Sequence, residues 1–364
     1  MAHPKTSPTS RRKTATRIPA SISATDAKTP AWSKWSDDEL LDMRLCDMKL
    51  RVSDTKLHAH VKQLYSELEA RELTLRPHVW FSSEWFSPDG IPGIAIPFYL
   101  AHPRLRKLEQ KLMLQVEGGT RKQCMMILRH ETGHAICSAF RLHRRKRWRE
   151  LFGKASSPYP EFYEPEPFSR DYVVHLDWWY AQSHPMEDFA ETFAAWINPR
   201  SRWHQVYRGW PALRKLEYVD DLMKELANQT PAVRSRAHIE PLKSMKSTLR
   251  QHYQQKRMQY MDEWPDFYDR DLMRIFSNSA DHAKHPSATS FLRNSRAQVR
   301  ELVAEWTGTH PYTVDQVLRD MNDRCKELKL RLSRSEDDAR TDLMLMVAVQ
   351  TMNFLHAGHH RIAL

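Results

Sequence analysis

LRHETGHAICSAF, residues 128–140, holds two histidines and a glutamate in the order His130, Glu131, His134. On a helix, positions i and i+4 lie one turn apart on the same face, so His130 and His134 would present two imidazoles side by side. Nitrogens placed this way can bind one tetrahedral Zn²⁺ at about 2.0–2.1 Å. Glu131 projects beside them and can take a proton from metal-bound water without being a ligand itself. Composition alone yields such a pentapeptide on the order of one time in twenty in a chain this long. A catalytic zinc also needs a third protein ligand, so the question is decided downstream.

One continuation would be HExxHxxGxxH, with Gly at 137 and His at 140. The chain has Cys137 and Phe140 instead. The other continuation takes a glutamate from a later helix. HPMEDFAETFAAW, residues 184–196, offers Glu187 and Glu191 one turn apart, with Pro185 suited to the first turn. If Glu187 binds the metal, Glu191 lies one turn deeper, where it can hydrogen-bond a ligand histidine and fix its tautomer. Two carboxylates on a packed helix need partners. The bland alternative is a solvated acidic face near a helix N-terminus, where carboxylates are mildly stabilised anyway. Asp188 and His175 remain rivals for the metal.

Together, RHETGHA and HPMEDFAETFA resemble the gluzincin branch of zinc metallopeptidases. They are most similar to the bacterial zinc-binding metallopeptidases that pair HExxH with a His-Pro-x-Glu-Asp-(aromatic)-Ala-Glu-Thr segment. The ExxxE spacing is also similar to that of the lethal-factor type of toxin peptidase. The resemblance spans about residues 75 to 200. It implies a zincin-like fold, one zinc per chain held by His130, His134 and Glu187, Glu191 behind a ligand, and hydrolysis of a peptide or protein substrate. Tyr180, seven residues before Glu187, stands where the lethal-factor type places a tyrosine, which implies an oxyanion donor. His184 and His175 are its rivals, and the aromatic residues of LDWWYAQ otherwise read as core. The resemblance also implies that GIPGIAIPFYL is the edge strand on which substrate lies. The zinc ribbon of some relatives is absent, because its cysteines are. The interval from His134 to Glu187 is longer than in thermolysin-like enzymes, and an insertion over residues 144–168 accounts for it.

Further from the motif, the chain reads as mainly helical. It has only 9 glycines in 364 residues, and long stretches rich in Leu, Met, Arg, Lys and Glu. WSKWSDDELLDMRLCDMKLRV predicts a helix capped by Ser36, and LHAHVKQLYSELEARE a second. HVWFSSEWFSPDGIPGIAIPFYLAHP predicts two or three short strands with a turn at SPDG, and its prolines suit an edge better than a centre. A helix from HPRLRKLEQ should close at Gly118–Gly119, and Thr120 should cap the HETGH helix, running to about His143. Residues 153–170 read as a Pro-rich loop, and DYVVHLDWWY as a strand or an extended approach. After 232 only helical patterns appear. The fold class expected is α+β, zincin-like, mainly helical with a small mixed sheet, followed by an all-helical C-terminal domain. Three divisions follow: 1–31 a disordered basic tail, 32–231 the metallopeptidase domain, 232–364 the helical domain.

The net charge of +11 is uneven. Residues 1–30 hold six Lys/Arg against one Asp, and residues 141–149 are again basic. A nucleic-acid or acidic-partner binding protein, using the tail and residues 141–149, is the alternative reading. It is not the favoured one, since no zinc-finger, RNP or bZIP pattern accompanies the charge. A third reading is a non-catalytic interaction protein on a zincin scaffold, against which the intact Glu131 argues. No apolar run is long enough for a bilayer. The four cysteines are scattered, which fits reduced thiols in a cytoplasm and no membrane partner.

Overall fold

The computed structural model describes residues 30–160, 163, 166, 169–176, 179–259 and 268–354. The expected disordered tail therefore lies almost wholly outside the described residues, as do parts of the 153–170 loop and of DYVVHLDWWY. The chain divides into two compact units, Met1–Lys34 and Trp35–Leu364. Of the first, the described part is one 3₁₀ turn, Ala31–Lys34. All that follows concerns the second.

Ser36 caps α1 (Asp37–Leu41) in a reciprocal box with Glu39, as its sequence demands. The helix then stops well short of the expected length. Leu45 and Cys46 turn their N–H groups to the carbonyls of Ser247 and Met245, and Arg44 bridges to Thr248, so tertiary pairing takes the backbone that a longer helix would have used. α2 (Leu57–Glu69) follows, with Val61, Leu64 and Leu68 buried on one face.

β1 (His78–Ser82) and β2 (Gly93–Pro97) pair in parallel, with Trp80 opposite Ala95. The turn at SPDG is present, with Gly90 at φ 70°. It returns the chain so that Phe86 bridges antiparallel to Ala95, whose N–H donates to the Phe86 carbonyl at 2.8 Å. The sheet is thus small and mixed, but β2 is not its edge. It is buried at every position and flanked on both sides. The prolines are tolerated because Pro92 precedes the strand and Pro97 ends it. The outermost segment on that side is the one carrying Phe86.

α3 (Pro103–Met113) also ends earlier than expected. Leu114 takes the left-handed conformation at φ 64° and its N–H closes on Gln110, so the stop lies before the two glycines. Gly118 is instead needed in the next loop, where a Cβ would stand 3.1 Å from the Trp85 ring. α4 (Arg121–Phe140) begins at Thr120 in a capping box with Gln123. It ends before His143, at a left-handed Arg141. α5 (Lys146–Phe152) carries the basic run. There Arg145 forms a bidentate pair with Glu225, and Lys146 and Arg147 pair with Glu150. α6 (Pro185–Ile197) packs along α4, and α7 (Trp203–Val206) and α8 (Leu213–Glu225) complete that side. Among the described residues of 171–180 there is no strand.

The chain then comes back. Residues 237–240 accept hydrogen bonds from His78, Trp80 and Ser82 on β1, and α9 (Leu249–Gln259) runs past α1. α10 (Tyr268–Ile275), β3 (Phe276–Ser277), α11 (Ala288–Thr307), α12 (Pro311–Glu327), β4 (Arg331–Leu332) and α13 (Glu336–Phe354) build a second core around Phe276, Val299, Leu318, Met321 and Leu343. The two-residue antiparallel pairing of β3 with β4, extended by a bridge between Ser287 and Arg331, departs from the helical expectation there.

Three helices share one start signal. His102, His184 and His310 each precede a proline, and each accepts through Nδ1 the N–H two residues on, at 3.1 Å. The imidazole acts as the cap, and proline fills a position whose N–H would have gone unpaired.

Candidate metal centre

α4 supplies His130, Glu131 and His134, and α6 supplies Glu187 and Glu191. The two helices meet where each is smallest. A Cβ on Gly133 would stand 2.7 Å from the Cα of Ala190, so only glycine lets the backbones come this close. That closeness brings three ligand atoms to one point. His130 Nε2 lies 3.0 Å from Glu187 Oε2, His134 Nε2 lies 3.0 Å from the same oxygen, and the two nitrogens are 3.1 Å apart.

The proton count identifies what this triangle can hold. His130 Nδ1 is 2.8 Å from Glu191 Oε1, and a carboxylate only accepts, so Nδ1 carries the hydrogen. Nε2 of the neutral ring is then a lone pair aimed at another nitrogen and at a carboxylate oxygen. With both rings neutral, the three edges have at most the His134 Nε2 proton between them. Such a set suits a cation. Tetrahedral zinc ligands stand about 3.3 Å from one another, close to the spacing found here. Two imidazoles and one carboxylate are a donor set typical of catalytic zinc, with the fourth position left for water or substrate.

Electrostatics agree. Burial works against charge on His130, but Glu187 and Glu191 outweigh it and hold its pKa well above the usual value. His134 is raised in the same contest, by Glu187. Burial would raise Glu187, yet the two histidines hold it well below the usual carboxylate range. The cluster attracts positive charge, whether that arrives as a proton or as a metal ion.

Glu191 is fully buried and its second oxygen accepts from the backbone N–H groups of His175 and Leu176, at 3.1 and 2.7 Å. Two backbone donors of the 171–176 segment thus go to the carboxylate that hydrogen-bonds His130, while the Val174 N–H goes to the Tyr207 hydroxyl. Glu131 is buried beside the triangle. Burial raises its pKa, against the pull of His130 and His134 and with the push of Glu187. The Tyr180 ring lies 5.6 Å from that of His130, centroid to centroid, and its hydroxyl is unpaired among the described residues.

The rivals go elsewhere. Asp188 pairs with Lys215 of α8 at 2.6 Å. His175 Nε2 meets the Met126 carbonyl, and His184 is held by Ser157 and by its capping role. Sequence reasoning missed two residues. Gly133 had a signal, being an isolated glycine inside a helical pattern, which commonly marks close packing. Tyr159 had none. It sits in the Pro-rich loop, yet its hydroxyl donates to Glu187 Oε1 at 2.8 Å.

Residues 120–206 match the family described as "Putative zinc-binding metallo-peptidase". The match runs from the cap of α4 into α7, taking in both helices of the centre and the segment between them. No curated protein and no solved structure matches the chain. Within the matched segment, His130, His134 and Glu187 form the group able to hold a metal ion among the described residues.

Proposed function

We propose that the chain is a zinc-dependent metallopeptidase with a zincin-like catalytic part and one zinc per chain. The observation that supports this best is the convergence of His130 Nε2, His134 Nε2 and Glu187 Oε2 within about one zinc coordination shell, on helices inside the family match. When bound, zinc supplies Lewis acidity that lowers the pKa of water and polarises the scissile carbonyl.

The chain's residues do the rest. Glu131 takes a proton from the attacking water as the new C–O bond forms. It then delivers that proton to the departing amine nitrogen as the C–N bond breaks. Glu191 keeps His130 in the tautomer whose Nε2 is free to bind metal. The unpaired Tyr180 hydroxyl is available to donate to the oxyanion.

The substrate is a peptide or protein. A cytoplasmic setting belongs to the same reading, supported by four free cysteines. Among the described residues no helix is long and apolar enough to cross a membrane. We keep the C-terminal helices as a domain of their own, supported by the separate core that runs from Leu272 to Val347. Residues 237–256 pack back onto the catalytic part.

Metal analysis of the purified protein should find about one zinc per chain, and a chelator should abolish cleavage of an unstructured protein substrate. Full-length protein that binds no zinc at micromolar concentration would end this reading.

A further inference from the structure

Tyr159 is 48% exposed, yet its hydroxyl reaches a carboxylate that is 4% exposed. Two contacts aim it. Its ring stacks on that of His184 at 3.8 Å and an interplanar angle of 17°. His184 is itself immobile, since Nδ1 caps α6 by accepting from Met186 and Nε2 meets the Ser157 carbonyl at 2.9 Å. The strand of loop from Gly153 to Pro160 is thereby laid over the start of α6, with a Cβ on Gly153 only 3.2 Å from the Pro185 ring.

The result is a division of labour within one carboxylate. Oε2 of Glu187 faces the two histidines, and Oε1 accepts from Tyr159, its sole hydrogen-bond donor among the described residues. A glutamate on the first turn of a helix has three side-chain torsions, and ordering them costs conformational entropy. An oxygen pinned at one end fixes the plane of the group and leaves the other oxygen where the lone pairs of the imidazoles converge.

We propose that Tyr159 is a positioning residue for the metal, holding Glu187 as a ligand through one oxygen. The inference rests on the zinc reading above. It assigns different work to the two tyrosines of the site. Tyr159 is already committed to Glu187, whereas the Tyr180 hydroxyl is unpaired and can meet developing charge.

The test is Tyr159→Phe, which keeps the ring on His184 and removes only the hydroxyl. Zinc affinity is measured by competition with a chromophoric chelator, alongside thermal unfolding of the zinc-free protein and the visible spectrum of the cobalt(II)-loaded one. The variant should bind zinc about 10–100-fold more weakly. Its zinc-free unfolding should match that of the parent, its cobalt spectrum should shift, and saturating zinc should restore most of the turnover. Unchanged zinc affinity in a folded variant overturns the proposal. So does a turnover deficit that saturating zinc leaves in place, which would make Tyr159 the oxyanion donor. A parent protein that binds no zinc instead overturns the function itself, so the two failures are distinguishable.

Discussion

Glu109 and Glu187 are both buried glutamates on helices, and they are neutralised in opposite ways. Glu109, on α3, is 2% exposed, and Lys256 Nζ from α9 stands 3.2 Å from its Oε1. The same ammonium lies 2.9 Å from Glu84 and so serves two carboxylates at once. Glu67 has Arg129 bound across both oxygens, and Asp188, the very next residue after Glu187, has Lys215. Glu187 has no lysine or arginine of its own among the described residues. It faces two imidazoles, one of them held with its lone pair inward. A buried carboxylate with a permanent cation belongs to the framework. One whose charge is faced by two imidazoles, and by no permanent cation among the described residues, has a place for an ion from solution.

That contrast can be broken first at Glu131. Glu131→Gln removes the proposed proton carrier, which is not one of the three converging groups. Hydrolysis should fall by about 10²–10⁴-fold while zinc content stays the same. Undiminished turnover, followed with a fluorogenic peptide, would remove Glu131 from the chemistry.

The two clusters then separate by a crossed pair of variants. Lys256→Met leaves Glu109 buried without its cation, a class of change that costs about 3–5 kcal/mol. Urea unfolding should show that loss with zinc stoichiometry intact. Glu187→Gln should do the reverse, losing zinc while the zinc-free protein unfolds within about 1 kcal/mol of the parent. If Lys256→Met also emptied the metal site, the two clusters would not be independent.

How much of this could be read beforehand follows from the range of each interaction. His130, His134, Glu187 and Glu191 were legible because helical periodicity is local, so an i, i+4 pair shows its face without any knowledge of the fold. The caps at Ser36 and Thr120 were legible for the same reason. Lengths were not. α1 stops where the 245–248 segment captures its backbone, and that contact lies some 200 residues away in sequence. The edge reading of β2 failed because the covering segment, at Phe86, is folded over by a turn whose direction no proline count reveals. Tyr159 shows the limit most plainly: one hydroxyl in an irregular loop has no period at all.

Gly133 tests the approach of the helices themselves. Gly133→Ala should gain about 1 kcal/mol of helix propensity. Against that, the new methyl meets the Ala190 backbone at 2.7 Å, and main chain cannot rotate away as a side chain can. Overpacking of this kind costs about 1–3 kcal/mol. The net should be a modest loss of stability together with weaker zinc binding, since α4 and α6 must part for the methyl to fit. A variant more stable than the parent, with full zinc affinity, would mean that the close contact at Gly133 is not what gathers the ligands.

The smallest effect concerns the other cluster and acid. His252 and His310 are both pushed down to about 4, first by burial and then by the charge of Lys256. An unfolded histidine titrates near 6.5, so the folded state prefers the neutral ring. The stability this provides is complete above about pH 6.5 and drains as pH falls toward 4, because the unfolded chain takes up protons that the folded one refuses. At pH 5.5 each histidine should account for about 1 kcal/mol of lost stability. Loss of the proposed zinc in acid would also destabilise the protein, so the comparison must cancel it. His310→Asn keeps an oxygen to cap α12 at the Tyr312 N–H and has no proton to gain. Urea midpoints of this variant and the parent, both zinc-loaded, should agree at pH 7.5. At pH 5.5 they should diverge in the variant's favour. Equal losses in the two proteins would remove His310 from the acid sensitivity.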